Sequence, residues 1–181
     1  MESSELNRLK QKFIHNNRDA KGGKRIVLSR YCKFYKNGER GIAASRFWSN
    51  YVKQITDKYQ NRQDDKTFLT DVRLFTETFN AKHRDGLERE FTFFDAFKSL
   101  SVALKYRWCD EVNYPGYPEP PLCPISCRFL DGIRFRYTKS DLNNSQKSER
   151  SVKKIINSLK TQSKKSGLSL AEWELREFDR L

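Results

Sequence analysis

All five prolines of this 181-residue chain fall in one ten-residue window, Pro115 to Pro124, within the run YPGYPEPPLCP. Proline fixes φ and lacks a backbone donor, so this window is neither helix interior nor central strand. It reads as a stiff, extended connector. Its apolar neighbours Tyr114, Leu122 and Ile125 favour packing against the body of the protein over display as a ligand for a proline-reading domain. Everywhere else the chain is free of its strongest helix breaker, and wherever apolar periodicity is clear it is helical.

Phe47, Trp48, Tyr51, Val52, Ile55 and Tyr59 make one stripe between Ala44 and Gln60, with Arg46, Lys53 and Lys58 facing away. A second helix is expected from Lys66 to Lys82, with Phe68, Val72, Phe75 and Phe79 inward. A third opens at Thr92 with Asp95 three residues on, the pattern of a capping box, and continues through Trp108. A fourth covers Ser148 to Lys165 on Val152, Ile155, Ile156 and Leu159 and ends before Gly167. The last starts at Ser169 with Glu172 as its box partner. Arg25 to Tyr35 suits strand or helix equally, and Ile133 to Tyr137 alternates like a short strand or extended arm. Asp131-Gly132 marks a turn, and Asp141 to Ser148 is polar and turn-rich, the best hinge candidate.

The expected fold is mainly α: one compact multi-helix domain over residues 1–181. It comprises a basic N-terminal segment (1–42), a helical core (43–146) holding the connector 114–124, and a basic helix with a C-terminal helix (147–181). Thirteen Phe, eight Tyr and three Trp supply the core that a hydrophobic content of only 36% would otherwise leave thin. No run of eighteen apolar residues occurs and Met1 to Lys12 has no apolar signal core, so a cytoplasmic protein without a membrane partner is expected.

Charge narrows the function. The formal net charge is +13, and it is segregated: Met1–Ile42 carries +7 and Lys147–Lys165 carries +6. The rest is balanced, so the surplus describes a binding surface for a polyanion, first of all DNA. The candidate phosphate contacts are Lys21, Lys24, Arg25, Arg30, Lys147, Arg150, Lys153 and Lys154. The plain alternative is a pair of solvated flanks. Gly22-Gly23 among Lys21, Lys24 and Arg25 could hold a phosphate on backbone amides, as could any basic loop.

Most enzyme signatures are absent: there is no P-loop, dinucleotide fingerprint, nucleophile elbow or H-E-x-x-H. The four cysteines, Cys32, Cys109, Cys123 and Cys127, lack knuckle spacing and read as reduced, buried small hydrophobes; no metal or cofactor is expected. Glu88, Glu90 and Asp95 cluster as a metal nuclease would need, yet carboxylates at a helix start are ordinarily caps. On the third helix Lys98, Ser101 and Lys105 share a face beside the apolar Phe97, Leu100 and Leu104. A lysine partly desolvated there can act as a nucleophile. The alternative is a lysine whose stem merely covers apolar surface.

The order of features, Lys98 on its helix followed by a loop and Pro124-Ile125-Ser126, resembles the helix-hairpin-helix DNA glycosylases, nearest their archaeal 8-oxoguanine branch. The resemblance spans about forty residues, Phe91 to Asp131. It implies excision of a modified base from double-stranded DNA, with Lys98 attacking the sugar and a downstream carboxylate assisting. Ser126 stands where that family carries its aspartate, which leaves Asp131 as the nearest acid, and the family's glycine-rich hairpin is not evident. Base flipping also needs stacking or wedge rings, for which Tyr106, Trp108 and Tyr114 are nearest. The same stretch is similar to small uncharacterised bacterial proteins of mobile-element and defence loci. A non-enzymatic nucleic-acid-binding protein of that kind is the alternative reading. An adaptor using the proline run is a third.

Overall fold

A computed structural model describes residues 1–16 and 38–181. The chain is mainly helical, as the periodicity requires. Its elements are α1 (Ser3–Asn16), α2 (Glu39–Lys58), α3 (Asp65–His83), a 3-10 turn (Arg84–Gly86), α4 (Phe93–Cys109), α5 (Cys127–Gly132), α6 (Lys139–Leu142), α7 (Ser148–Lys165) and α8 (Leu170–Asp179). No strand occurs among the described residues. The segment Arg25 to Tyr35 lies outside them; of the expected strand or arm at Ile133 to Tyr137, Ile133 and Arg134 instead form the turn that ends α5, and only Phe135 to Tyr137 continue without regular secondary structure.

α4 is the axis of the fold. Thr92 caps it, its hydroxyl accepting from the Asp95 N–H while Asp95 returns a bond to the Thr92 N–H, so the expected box is formed. Arg89 grips the same Asp95 with two bonds of 2.7 Å, so Asp95 is fully engaged in holding the helix start rather than being offered to a metal. The Ser148 hydroxyl, from the first residue of α7, accepts from the Phe94 N–H at 2.9 Å. One end of α7 thereby satisfies an orphan donor at the start of α4.

α2 and α3 pack on α4 and on each other, α7 packs on another side of α4, and α1 and α8 cover its C-terminal half. The core is dense in rings: Phe68, Phe75, Phe79, Phe91 and Phe97 are completely buried. Tyr51 stacks on Phe75 at 4.2 Å and Phe79 on Phe91 at 4.4 Å between centroids. Trp48 Nε1 donates to Ser99 Oγ at 3.0 Å, so the one polar atom of that indole is satisfied inside the α2–α4 seam.

The proline connector packs down. Pro120, Leu122, Cys123, Pro124 and Ile125 are buried, and the Tyr117 hydroxyl donates to the Thr56 carbonyl at 2.7 Å. Pro115 and Gly116 at its start stay exposed. Ser126 then caps α5, accepting from the Phe129 N–H at 3.1 Å. The stretch from Asp141 to Ser148 holds the end of α6 and a turn in which Asn144 Oδ1 accepts from the Gln146 and Lys147 amides.

The 3-10 turn passes so close to α2 that a Cβ on Gly86 would lie 2.6 Å from both the Ala44 Cβ and the Arg40 carbonyl oxygen. Backbone cannot swing aside as a side chain can. Gly86→Ala is therefore expected to destabilise the fold by about 1–3 kcal/mol, measured by urea denaturation; an unchanged midpoint would mean the turn is free to shift.

Candidate nucleic-acid interface

α7 is built as a two-sided helix. Val152, Ile155, Ile156 and Leu159 are buried against the core together with Ser148 and Ser163. The opposite side shows Arg150, Lys154, Asn157, Thr161, Lys164 and Lys165, all exposed. Their spacing keeps them on one face over about 22 Å of helix, some six to seven base-pair steps of B-DNA. No acid lies in that row. The only acidic residue of α7, Glu149, turns to the flank, where Arg73 of α3 and Lys153 hold it at 2.5 and 2.6 Å. Those cations keep its carboxyl below the usual glutamate range, the Arg73 hydrogen bond being the largest cause.

Of the expected contacts, Lys147 is the residue just before this helix, and Arg150, Lys153 and Lys154 fall in its N-terminal half. Arg150 and Lys154 point outward and form no ion pair with a described residue, while Lys147 reaches Asp141 at 3.7 Å and Lys153 is tied to Glu149. Lys160 is held by Asp65 on α3. Lys164 and Lys165 complete the row without ion pairs among the described residues, and they follow from continuing the same three-and-four spacing one turn further. Lys21, Lys24, Arg25 and Arg30 lie outside the described residues, as does Cys32.

The residues that base excision would require are distributed differently. Lys98 is half-buried on α4. Ser126 serves as the α5 cap, and Asp131, its side chain 54% exposed, receives the Tyr137 hydroxyl at 2.9 Å and Lys139 at 3.2 Å. The Tyr137 bond, then the one from Lys139, hold the Asp131 carboxyl below the ordinary aspartate range. Among the described residues, two open clefts lie elsewhere. One of about 760 Å³ runs between Arg62–Lys66, Glu119–Pro121 and Ser169–Leu170. The other, of about 200 Å³, lies between α1 and α8. Neither is lined by Lys98 or Asp131. Tyr106 is half-buried on α4. Tyr114 is also half-buried, beneath the Arg107 guanidinium at 4.9 Å. Trp108 is only 6% exposed, packed with Leu9, Ala171 and Leu175 under Lys10, so its ring belongs to the core.

The desolvated lysine is Lys105, two turns along from Lys98. Its side chain is 2% exposed and its amine donates to Glu174 of α8 at 2.5 Å, with the Phe13 ring 4.4 Å and the Phe178 ring 5.5 Å away. Burial raises the Glu174 carboxyl above the usual range, against the opposing pull of Lys105. Ser101, on the same face, is fully buried and donates to the Phe97 carbonyl at 2.7 Å.

Among the described residues no group of three His, Cys, Asp or Glu side chains is placed to hold a metal. Burial pushes the Cys109 thiol up to about 12 and Cys123 well above its ordinary value. Thiolate is the reactive form. In the folded protein at pH 8 a maleimide is therefore expected to modify half-buried Cys127 and to spare Cys109 and Cys123, as peptide mapping would read. Modification of Cys109 at the same rate as Cys127 would show that α1 opens readily. No helix of the described residues is long and apolar enough to cross a membrane. Comparison with protein-family models, with curated proteins and with solved structures found no match to this chain.

Proposed function

We propose that this protein binds duplex DNA along the outer face of α7, as a non-enzymatic nucleic-acid-binding protein. One observation carries the reading: a row of four cations without ion pairs among the described residues, with interleaved amide and hydroxyl groups, from which the helix's only acid has been turned away. A basic helix whose cations were spent on intramolecular pairs would be a solvated face. Here the pairs are made by the flanking Lys153 and Lys160 and the outward cations are left over.

Base excision is the second reading. It rests on the order of features around Lys98, a half-buried lysine on the most deeply buried helix. In that mechanism Asp131 is the assisting carboxylate, freed from Tyr137 and Lys139 when DNA binds.

Fluorescence-anisotropy titration of a labelled duplex at several salt concentrations tests the binding. Four phosphate contacts predict that log K falls against log salt with a slope of about −3.6. Binding that ignores salt, or no binding, overturns the proposal, and preference for single strands or RNA would reassign the ligand. End-labelled duplexes with normal, oxidised, alkylated, deaminated and hypermodified bases then separate the two readings. An alkali-labile break at one modified base, lost in Lys98→Ala, establishes excision; bound but intact DNA leaves the binder.

A further inference from the structure

A second cationic element stands on the segment that links α5 to α6. α5 ends in a Schellman motif: the Phe135 N–H bonds to the Leu130 carbonyl at 2.8 Å and the Arg134 N–H to the Asp131 carbonyl at 3.1 Å. The motif demands a left-handed residue between them, the position glycine ordinarily fills. Here it is Arg134, with φ 55°, the only non-glycine residue with positive φ among those described. An arginine in this conformation carries a steric cost that a glycine would not.

No hydrogen bond or ion pair of its side chain with a described residue repays that cost. The Arg134 side chain is exposed and forms no ion pair with a described residue. The next outward residue, Arg136, is likewise exposed and unpaired among them. Between and beside them Ile133, Phe135 and Tyr137 turn inward and pack against the core, so the arm has a fixed inner edge and a purely cationic outer one. The nearest acid, Asp131, is already engaged by Tyr137 and Lys139. The arm runs directly into α6, which packs on α7.

We propose that Arg134 and Arg136 form a second DNA phosphate contact, and that the left-handed arginine is kept at the expense of stability because its guanidinium grips the backbone. This rests on the reading of α7 as the DNA-binding face. A cation on a rigid arm, rather than on a flexible tail, also fixes where along the duplex the protein sits.

Two substitutions in the full chain separate function from folding. Arg134→Gly is expected to raise the melting temperature by about 2–4 °C while weakening duplex binding about five- to tenfold at 0.1 M salt and reducing the salt slope by about one. Arg136→Gln should weaken binding similarly and leave the melting temperature unchanged. Arg150→Glu with Lys154→Glu on α7 is the companion measurement. Wild-type affinity in both arm variants, with binding lost in the α7 variant, overturns the arm and leaves the α7 reading standing. Wild-type affinity in all three, or no binding by the unaltered protein, overturns both. A fall in melting temperature on Arg134→Gly refutes the argument from backbone strain.

Discussion

Glu174→Ala lowers the stability of the fold by about 3–5 kcal/mol, because it leaves the Lys105 ammonium buried with no counter-ion. The amine is enclosed by α1 and α8, with aromatic faces at Phe13 and Phe178 that soften its desolvation without replacing a carboxylate. Lys105→Ala strands Glu174 in the same way. The double variant Lys105→Met with Glu174→Leu is expected to be far milder than either single change, close to neutral or more stable by about 1–4 kcal/mol. Urea denaturation of the three proteins checks this, and additive losses would mean that water reaches the pair. The pH dependence has a definite sign. Folding raises the Glu174 value, so its contribution is full below the ordinary glutamate range and is lost as pH rises through the raised value. Glu149 and Asp179, held down by hydrogen bonds from Arg73 and Lys12, run the other way, contributing above the ordinary carboxylate range and losing it on acidification.

Reversing the α7 row, Arg150→Glu, Lys154→Glu and Lys164→Glu together, is expected to cut duplex affinity by about a thousandfold or more at 0.1 M salt. Stability should hardly change, since exposed side chains without partners cost within about 0.5 kcal/mol each on replacement. The control places the same charge change elsewhere, as Arg46→Glu, Lys53→Glu and Arg84→Glu, all exposed on α2 or the 3-10 turn. Equal loss from both triple variants would mean that net charge, rather than the α7 face, holds DNA.

Much of this architecture was legible in the residues. The Thr92–Asp95 and Ser169–Glu172 boxes are local chemistry, and both formed. The bounds of α7, Ser148 to Lys165, came directly from its apolar stripe. The stripe of α1, Leu6, Leu9, Lys10, Phe13 and Ile14, is broken by a lysine and diluted by the charges around it, so its periodicity is weak. Without α1 the spacing favours Lys98 as the desolvated lysine of α4, and with it Lys105 is the one covered. Spacing places both on the same side of α4, but only a helix packed over the C-terminal half decides which is covered. Likewise, no periodicity could show that Asp131 would be occupied by Tyr137 and Lys139, or that Arg134 would take a left-handed backbone. Those are consequences of how α5 stops.

The anchoring of α7 bears on how a ligand would meet it. Its first residue is pinned to the start of α4 through Ser148, its first turn to α3 through Glu149 and Arg73, and its fourth turn to α3 again through Lys160 and Asp65. A helix fixed at three points by its inner side has no coil-to-helix transition left to make. Association would then require no ordering of this element, and its rate would be governed by electrostatic encounter, falling with ionic strength more than with temperature or viscosity-coupled rearrangement. The outer face of α7 is in this sense rigid before any partner arrives.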